Sequence, residues 1–155
     1  MKGNPLLGAW KLKSLETRAS DGSVSYPWGK EVLGYVIFSP EGYFCVAIMN
    51  ANRKKFSSQD MKGGTVEERA NAADSYISYS GPCEIEKDKF RVKVEVSLFP
   101  NWIGGIQERN FKIEGRTLSV STTPTLVNGK EQVGYLIFER VKNSFESPSM
   151  ESSAH

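Results

Sequence analysis

Residues 33–49 read Leu-Gly-Tyr-Val-Ile-Phe-Ser-Pro-Glu-Gly-Tyr-Phe-Cys-Val-Ala-Ile-Met, two apolar runs separated by a short polar turn. Runs of this length that are rich in β-branched and aromatic residues are typical of β-strands. Pro40 and Gly42 are the second and fourth residues of the segment 39–42, positions that suit a type I turn. The stretch therefore predicts an antiparallel hairpin of strands 33–39 and 43–49.

The same period of two continues on both sides of this hairpin. Its cleanest instance is residues 90–98, where Phe90, Val92, Val94, Val96 and Leu98 alternate with polar residues. In the first segment, Trp10, Leu12 and Ser14 are expected to share one face. Turn residues separate the segments at short intervals. We predict eight main strands, over residues 8–17, 33–39, 43–49, 81–86, 90–99, 106–113, 117–123 and 132–141.

One segment has a helical pattern instead. Over residues 65–79, Thr65 suits the N-cap, and Glu67 and Glu68 fall in the first turn, where negative charge favours a helix. A stripe of Ala70, Ala73, Tyr76 and Ile77 follows. Because the 33–49 hairpin is apolar on both faces, we expect this helix, which comes after the third strand, to cover its outer face.

The size and charge of the chain limit what it can be. Its 155 residues fit one domain, which we place at 1–143, with a serine-rich and disordered tail at 144–155. With 20 basic and 18 acidic residues, the net charge is +2, which gives no field to gather nucleic acid or an anionic membrane. The N-terminus lacks the apolar run of a secretion signal, so we expect a cytoplasmic protein. Cys45 and Cys83 are expected to be buried and reduced.

Closing the predicted sheet into a barrel removes its two unpaired edges. An eight-stranded barrel holds side chains or one small ligand in its interior. A sandwich of two sheets has the same periodicity, so the pattern alone leaves both open. In the barrel, the side chains that we expect to point inward are those of Leu12, Val36, Phe38, Phe90, Val92, Val94, Val96, Phe111, Leu118, Val120, Leu136 and Phe138.

Four segments carry a resemblance to a known family: residues 7–10 (Leu-Gly-Ala-Trp), 21–29 (Asp-Gly-Ser-Val-Ser-Tyr-Pro-Trp-Gly), 34–42 and 97–102. Together they resemble the bacterial and fungal lipocalin-like domain family, over about residues 6–141. The resemblance implies an all-β fold, an eight-stranded antiparallel up-and-down barrel with a cavity. It also implies a structural role for Trp10, on which Arg140 from the last strand would stack. It implies no particular reaction.

Several chemistries lack the residues that they need. The single histidine is His155 in the tail, so the expected folded region offers no Ser-His-Asp or Cys-His constellation and no histidine-based metal site. No glycine-rich phosphate loop is present. The basic residues Arg53, Lys54, Lys55 and Lys62 have no interleaved aromatics of the kind that bind single-stranded nucleic acid. We expect no metal and no cofactor, and neither a nucleic-acid nor a membrane partner.

Polar residues on strand faces are the remaining candidates for chemistry. Arg109 shares a face with Gln107 and Phe111, so an inward Phe111 implies an inward Arg109. An inward arginine anchors a ligand carboxylate or stabilises charge developing on an enolate-like transition state. The structural alternatives are a pair with Glu95 or Glu108, or exposure to solvent. The candidates for a catalytic role are Arg109, Glu95 and Tyr79, although Glu95 shares a charged face with Arg91 and Lys93 that is typical of solvent exposure.

Aromatic residues beside prolines in the loops 26–29 and 99–102 either rim a cavity mouth or simply pack. The ligand-binding candidates are Arg109, Gln107, Tyr35, Phe38, Val94, Phe111, Trp28, Trp102 and Tyr76.

These observations predict a protein, monomeric or homodimeric, that binds a small and largely apolar organic molecule in its barrel. One alternative is a cofactor-free isomerase or cyclase of specialised metabolism, because folding a reactive substrate needs shape and hydrogen-bond donors and no nucleophile. The other is a structural barrel filled by its own side chains, without a ligand.

Overall fold

The computed structural model describes residues 3–142. The tail predicted at 144–155, with His155, lies outside these residues. The strands are β1 (Gly8–Ala19), β2 (Val24–Ser25), β3 (Val32–Phe38), β4 (Tyr43–Asn50), β5 (Tyr76–Ile85), β6 (Lys89–Lys93), β7 (Val96–Ser97), β8 (Ile106–Glu114), β9 (Thr117–Thr122), β10 (Thr125–Val127) and β11 (Lys130–Arg140). A helix, α1 (Val66–Asp74), precedes β5, and a 3-10 turn, Pro100–Trp102, precedes β8.

Eight of these strands form a closed antiparallel ring in the order β1, β3, β4, β5, β6, β8, β9, β11. The pairing of β11 with β1, from Trp10 opposite Arg140 to Ala19 opposite Gln132, closes the ring. Each of the short strands pairs with one strand of the ring: β2 with β1, β7 with β5, and β10 with β11. The predicted eight-stranded antiparallel barrel is therefore confirmed. The helix follows the third strand of the ring, which is the fourth strand along the chain because β2 comes before it.

The hairpin of β3 and β4 has the predicted turn. The Gly42 amide donates to the Ser39 carbonyl at 3.1 Å, the bond expected across a four-residue turn. Gly42 has a φ of +89°, in the left-handed region that favours glycine. The register pairs Phe38 with Phe44 and Val32 with Asn50, so both strands alternate between the interior and the outer surface.

The helix differs from the prediction in length and position. It begins with a capping box between Thr65 and Glu68 but ends at Asp74, and Tyr76 and Ile77 belong to β5. Because β4 pairs directly with β5, with Met49 opposite Tyr76, residues 51–75 leave the barrel at one end and return to it there. The prediction that the helix covers the outer face of the hairpin is wrong. Tyr35 and Ile37 on that face are 49% and 46% exposed.

Two strands break the alternation that the sequence predicts. In β1 the register shifts between Leu12 and Ser14, so Lys13 is an extra residue, and Leu15 and Thr17 point inward in place of Ser14. The segment 90–99 is not one strand: β6 ends at Lys93, whose carbonyl oxygen would lie 1.9 Å from a Cβ on Gly81. This close approach of the two backbones is open only to glycine.

Beyond Lys93 the chain changes partners. The Glu95 amide donates to the Ser80 carbonyl, and Val96 and Ser97 pair with β5. Val96 is consequently 64% exposed, and its predicted place in the interior is wrong. Of the other predicted inward residues, Phe111 and Leu136 are half-buried against the core. The buried ones are Leu12, Val36, Phe38, Phe90, Val92, Val94, Leu118, Val120 and Phe138.

Trp10 closes one end of the barrel. Its indole is fully buried and donates to the Leu6 carbonyl at 2.9 Å. The Arg140 guanidinium lies 4.0 Å from the centre of the indole ring and donates to the carbonyls of Leu7 and Pro5, each at 2.9 Å. One side chain thus joins the last strand, the first strand and the segment before it.

The two cysteines lie apart. Cys45 is exposed on the outer face of β4, which corrects the expectation that both thiols are buried, and Cys83 is half-buried. Burial raises the pKa of the Cys83 thiol to about 12. Within residues 3–142, no helix has both the length and the apolar character needed to cross a bilayer.

Candidate ligand-binding site

The barrel encloses a cavity of about 680 Å³ that opens at the end opposite Trp10. This volume lies within the range of small-molecule sites in proteins. Its deep part is lined by aliphatic and aromatic side chains of the ring strands: Leu15, Val36, Phe38, Phe44, Val46, Ile48, Phe90, Val120, Leu136 and Phe138. Burial of a ligand's apolar surface here contributes about 25 cal/mol per Å².

Four segments form the mouth of the cavity. They are the loop with Pro27 and Trp28, the end of α1, the segment from Leu98 to Trp102, and the turn from Val127 to Asn128 after β10. The Trp102 ring packs edge-on against Tyr79, with the ring centres 5.3 Å apart, and against Phe99 at 5.7 Å. The two aromatic loops noted in the sequence, 26–29 and 99–102, therefore both contribute to the rim.

Arg109 lies in the cavity wall and is 6% exposed. Its guanidinium donates to the Glu108 carbonyl oxygen at 2.9 Å and to Gln107 Oε1 at 3.0 Å. The Glu108 carboxylate points to the outer face, where it pairs with Arg91 at 2.9 Å. Among residues 3–142, no carboxylate oxygen lies within 4 Å of the Arg109 guanidinium. The cavity therefore contains a buried positive charge with only neutral partners.

Tyr79 is the neighbour of this charge. Its ring is 6% exposed, and the Arg109 Cζ atom lies 5.7 Å from the ring centre. Burial raises the pKa of the Tyr79 hydroxyl, and the nearby guanidinium opposes that rise without reversing it. The phenol is therefore neutral near pH 7 and remains a hydrogen-bond donor.

The remaining candidates from the sequence separate into three groups. Phe38, Tyr76, Trp28 and Trp102 line the cavity together with Arg109 and Tyr79. Gln107 contacts the site through Arg109, whereas Val94 and Phe111 pack in the core and do not line the cavity. Tyr35 and Glu95 lie outside it: Tyr35 is on the outer surface of β3, and Glu95 is exposed in the segment where the chain leaves β6.

Two buried polar residues of the wall were missed by the sequence reasoning. Thr17 and Gln132 are each 4% exposed, and the Thr17 hydroxyl donates to Gln132 Oε1 at 2.6 Å. Gln132 Nε2 donates to the Val127 carbonyl at 2.9 Å. The alternation through Leu136 and Phe138 already places Gln132 on the inward face of β11. Thr17 had no such signal, because the bulge in β1 reverses its face.

The donor set of the described residues does not suggest a metal centre. Within residues 3–142, no three His, Cys, Asp or Glu side chains come together in an arrangement that could hold a metal ion. The polar groups of the cavity are the Arg109 guanidinium, phenols, hydroxyls, the amides of Gln132 and Asn128, and the Asp74 carboxylate at the mouth. Most of them are suited to organic oxygen atoms.

Comparison with known proteins finds a matching family and several similar proteins. A family described as "Lipocalin-like domain" matches residues 7–141. The 4'-hydroxy-3'-methoxypropiophenone carrier protein ppsC of Aspergillus oryzae is 35% identical over 103 residues, which span 61% of this chain and 93% of that protein. A lipocalin-like protein from Bacteroides uniformis is 14% identical, with a TM-score of 0.45 over 89% of this chain and 100% of the other. An uncharacterized protein from Bacteroides eggerthii is 15% identical, with a TM-score of 0.43 over 88% and 99%.

Proposed function

The chain belongs to the lipocalin-like domain family, and from this premise we propose that it carries a small, largely apolar organic molecule in its barrel cavity. The observation on which the proposal depends is the open apolar cavity of about 680 Å³ with one buried arginine in its wall. A barrel filled by its own side chains has no space of this size.

The buried positive charge of Arg109 in the cavity wall favours a ligand that carries an anionic or strongly accepting oxygen. A buried ion costs several kcal/mol unless it is paired, and the described neighbours of Arg109 supply only neutral acceptors. The hydrogen bonds to Glu108 and Gln107 use two of its five N–H donors, and the Tyr79 hydroxyl is a further acceptor beside it, which still leaves donors for a ligand. We assign Arg109 the role of orienting the ligand, and Trp28, Trp102, Tyr76 and Phe38 the role of apolar contacts.

The relative from Aspergillus oryzae adds independent support. Its name describes a carrier of a hydroxylated, methoxylated aryl ketone, a flat molecule with oxygen atoms on an apolar frame. A ligand of comparable polarity suits a cavity that combines aromatic walls with one guanidinium.

A second function shares the same site. Arg109 and Tyr79 place a cation and a neutral phenol next to each other in a buried pocket. Two such donors stabilise negative charge developing on an enolate, which is the requirement of a cofactor-free isomerase or cyclase. This alternative predicts that a bound molecule changes during incubation, whereas a carrier returns it unaltered.

The first test combines native mass spectrometry with dye binding. The full chain, purified from cells that produce it, is expected to carry a small molecule that organic extraction releases. The purified protein is also titrated with 1-anilinonaphthalene-8-sulfonate, which is anionic, and with neutral N-phenyl-1-naphthylamine. A protein that carries nothing and binds neither dye would refute a ligand-binding function.

The second test isolates the arginine. Arg109→Met is expected to weaken binding of the anionic dye about tenfold or more, because one hydrogen bond to a charged group is worth about 1.5 to 3 kcal/mol. Binding of the neutral dye should stay within about twofold. Arg91→Met, on the outer face of β6, is the matched control. Equal effects of Arg109→Met on both dyes would exclude the orienting role.

A further inference from the structure

Three polar side chains and one glycine of the cavity wall lie at one level of the barrel. The strand registers place Arg109 opposite Thr122, and Gly134 opposite Thr17. The Gly134 amide donates to Thr122 Oγ1 at 2.8 Å, which joins the two pairs. Arg109, Thr122, Gly134 and Thr17 therefore form a row across the adjacent strands β8, β9, β11 and β1, and all four line the cavity.

The opposite half of the wall is mostly apolar. At strands β3, β4 and β6, the cavity is lined by Val36, Val46 and Phe90, among other aliphatic and aromatic residues. The exception on β5 is Tyr79, whose ring lies beside Arg109. A molecule in this cavity thus meets oxygen- and nitrogen-bearing groups along one edge and mostly carbon along the other.

The two ends of the row differ in charge. Arg109 is a cation at one end, and the Thr17–Gln132 pair at the other end is neutral. Three strand spacings of about 4.8 Å separate their backbones, so they are about 14 Å apart along the wall. Gly134 lies between them, and the Thr122 side chain packs against it, with its Cγ2 atom 3.1 Å from where a Cβ on Gly134 would lie.

The Thr17–Gln132 pair has hydrogen-bonding capacity beyond its internal contacts. The amide nitrogen of Gln132 carries two hydrogens, and the bond to the Val127 carbonyl uses one of them. The Thr17 oxygen, which donates to Gln132, also has lone pairs that accept. One donor and one acceptor side by side match a hydroxyl group, which both accepts and donates.

We propose that Thr17 and Gln132 form a second anchor, and that the cavity selects flat aromatic molecules with an anionic or strongly accepting oxygen at one end and a neutral hydroxyl at the other. The inference depends on the proposed ligand-binding function and specifies the ligand class and its orientation. The acceptor end faces Arg109, and the hydroxyl faces Gln132.

A set of three naphthalenes tests this assignment by fluorescence titration or calorimetry. They are 6-hydroxy-2-naphthoic acid, which has both groups, 2-naphthoic acid, which lacks the hydroxyl, and 2-naphthol, which lacks the carboxylate. The wild-type chain is expected to bind the hydroxy acid about 2- to 10-fold more tightly than 2-naphthoic acid, the gain of one net hydrogen bond.

Substitutions test which end of the row of wall residues provides each gain in binding affinity. Gln132→Met is expected to reduce the ratio of the two acid affinities to about one, and Thr17→Val, which preserves side-chain shape, is expected to lower the same ratio. Arg109→Met should weaken both acids by a common factor of about 10 to 100 and leave their ratio unchanged. Because each readout is a ratio within one variant, a loss of folded protein does not imitate the result.

The outcomes separate the two proposals. If the chain binds neither the naphthalenes nor 1-anilinonaphthalene-8-sulfonate, the ligand-binding function itself fails. If it binds the dye but neither acid, or binds both acids equally, the second anchor is wrong and the binding function stands. Retention of the wild-type ratio in both Gln132→Met and Thr17→Val also overturns the assignment.

Discussion

Replacing Arg140 by methionine is expected to destabilise the barrel at its closed end. The change removes a cation–π contact at 4.0 Å over Trp10 and two hydrogen bonds of 2.9 Å to the carbonyls of Leu7 and Pro5. The first contributes about 0.5 to 2 kcal/mol. Each hydrogen bond, discounted for partial exposure, contributes about 0.5 to 1 kcal/mol. We therefore expect a loss of about 1.5 to 4 kcal/mol in the free energy of unfolding.

For a chain of this length, that loss lowers the melting temperature by about 3 to 16 °C. Urea denaturation followed by tryptophan fluorescence measures the free energy, and calorimetry measures the melting temperature. Arg140→Lys keeps the positive charge but loses the planar guanidinium that donates two hydrogen bonds at once. Its loss in the free energy of unfolding is therefore expected to be smaller than that of Arg140→Met. Dye binding to the folded variant should be unchanged, because the cavity opens at the other end.

Arg18→Met is the matched control for Arg140→Met. Arg18 also stacks on an aromatic ring, 4.5 Å from the centre of Tyr135, but it is solvent-exposed, and within residues 3–142 its side chain bonds only to Glu16. Its replacement should change the unfolding midpoint little. If Arg140→Met loses no more stability than Arg18→Met, the argument that Arg140 holds the closed end together is refuted.

Three further predictions concern other parts of the chain. Gly81→Ala should lower the free energy of unfolding by more than about 3 kcal/mol, because its Cβ would lie 1.9 Å from the Lys93 carbonyl oxygen. Gly105→Ala is the control, because its Cβ would lie 3.4 Å from the Trp102 oxygen. Equal urea midpoints for the two variants would contradict the explanation. A thiol reagent at about pH 8 should modify Cys45 rapidly and Cys83 only after unfolding. Burial raises the pKa of Cys83 to about 12, so almost no thiolate is present at that position. Fast modification of two thiols in the folded protein would count against this prediction. Hydrogen bonds from the backbone amides of Thr65 and Ser57 lower the pKa of Glu68, so its contribution to stability is present above its ordinary value of 4.5 and is lost as the pH falls through the lower folded value. Glu68→Gln should therefore flatten the fall of melting temperature over that acidic range, and an unchanged slope would remove Glu68 as its cause.

The parts of the fold that sequence could predict are those where local pattern and tertiary structure agree. The 33–49 hairpin combines strand residues with a turn that needs Gly42, and its strands β3 and β4 pair as expected. Arg109 was placed inward by its alternation with Phe111, and the same rule turns the Glu108 carboxylate outward to Arg91. The alternation of apolar and polar residues predicts correctly which side chains point inward wherever a strand keeps a single partner on each side.

The failures occur where a strand changes its pairing. Val96 continues the alternation of Phe90, yet it is exposed, because the chain leaves β6 where two backbones meet at Gly81. Thr17 is inward only because one extra residue in β1 reverses the faces after Leu12. The pairing of β4 with β5 also removed Tyr76 from the helix. Each of these depends on long-range contacts that a local period does not contain.

Stability and binding are divided between the two ends of the barrel. The closed end contains Trp10 and Arg140, whose indole and guanidinium donate hydrogen bonds to the carbonyls of Leu6, Leu7 and Pro5. The wall nearer the mouth contains Arg109, a buried cation with neutral partners, beside an apolar space. An arginine that only supported the barrel would be expected to have a carboxylate partner or access to solvent, as Arg91 does. Because Arg109 has neither within the described chain, a ligand that supplies the missing acceptor should stabilise the fold, and by more in the wild type than in Arg109→Met. A rise in melting temperature with 6-hydroxy-2-naphthoic acid that is the same in both proteins would show that the cavity binds without using the charge.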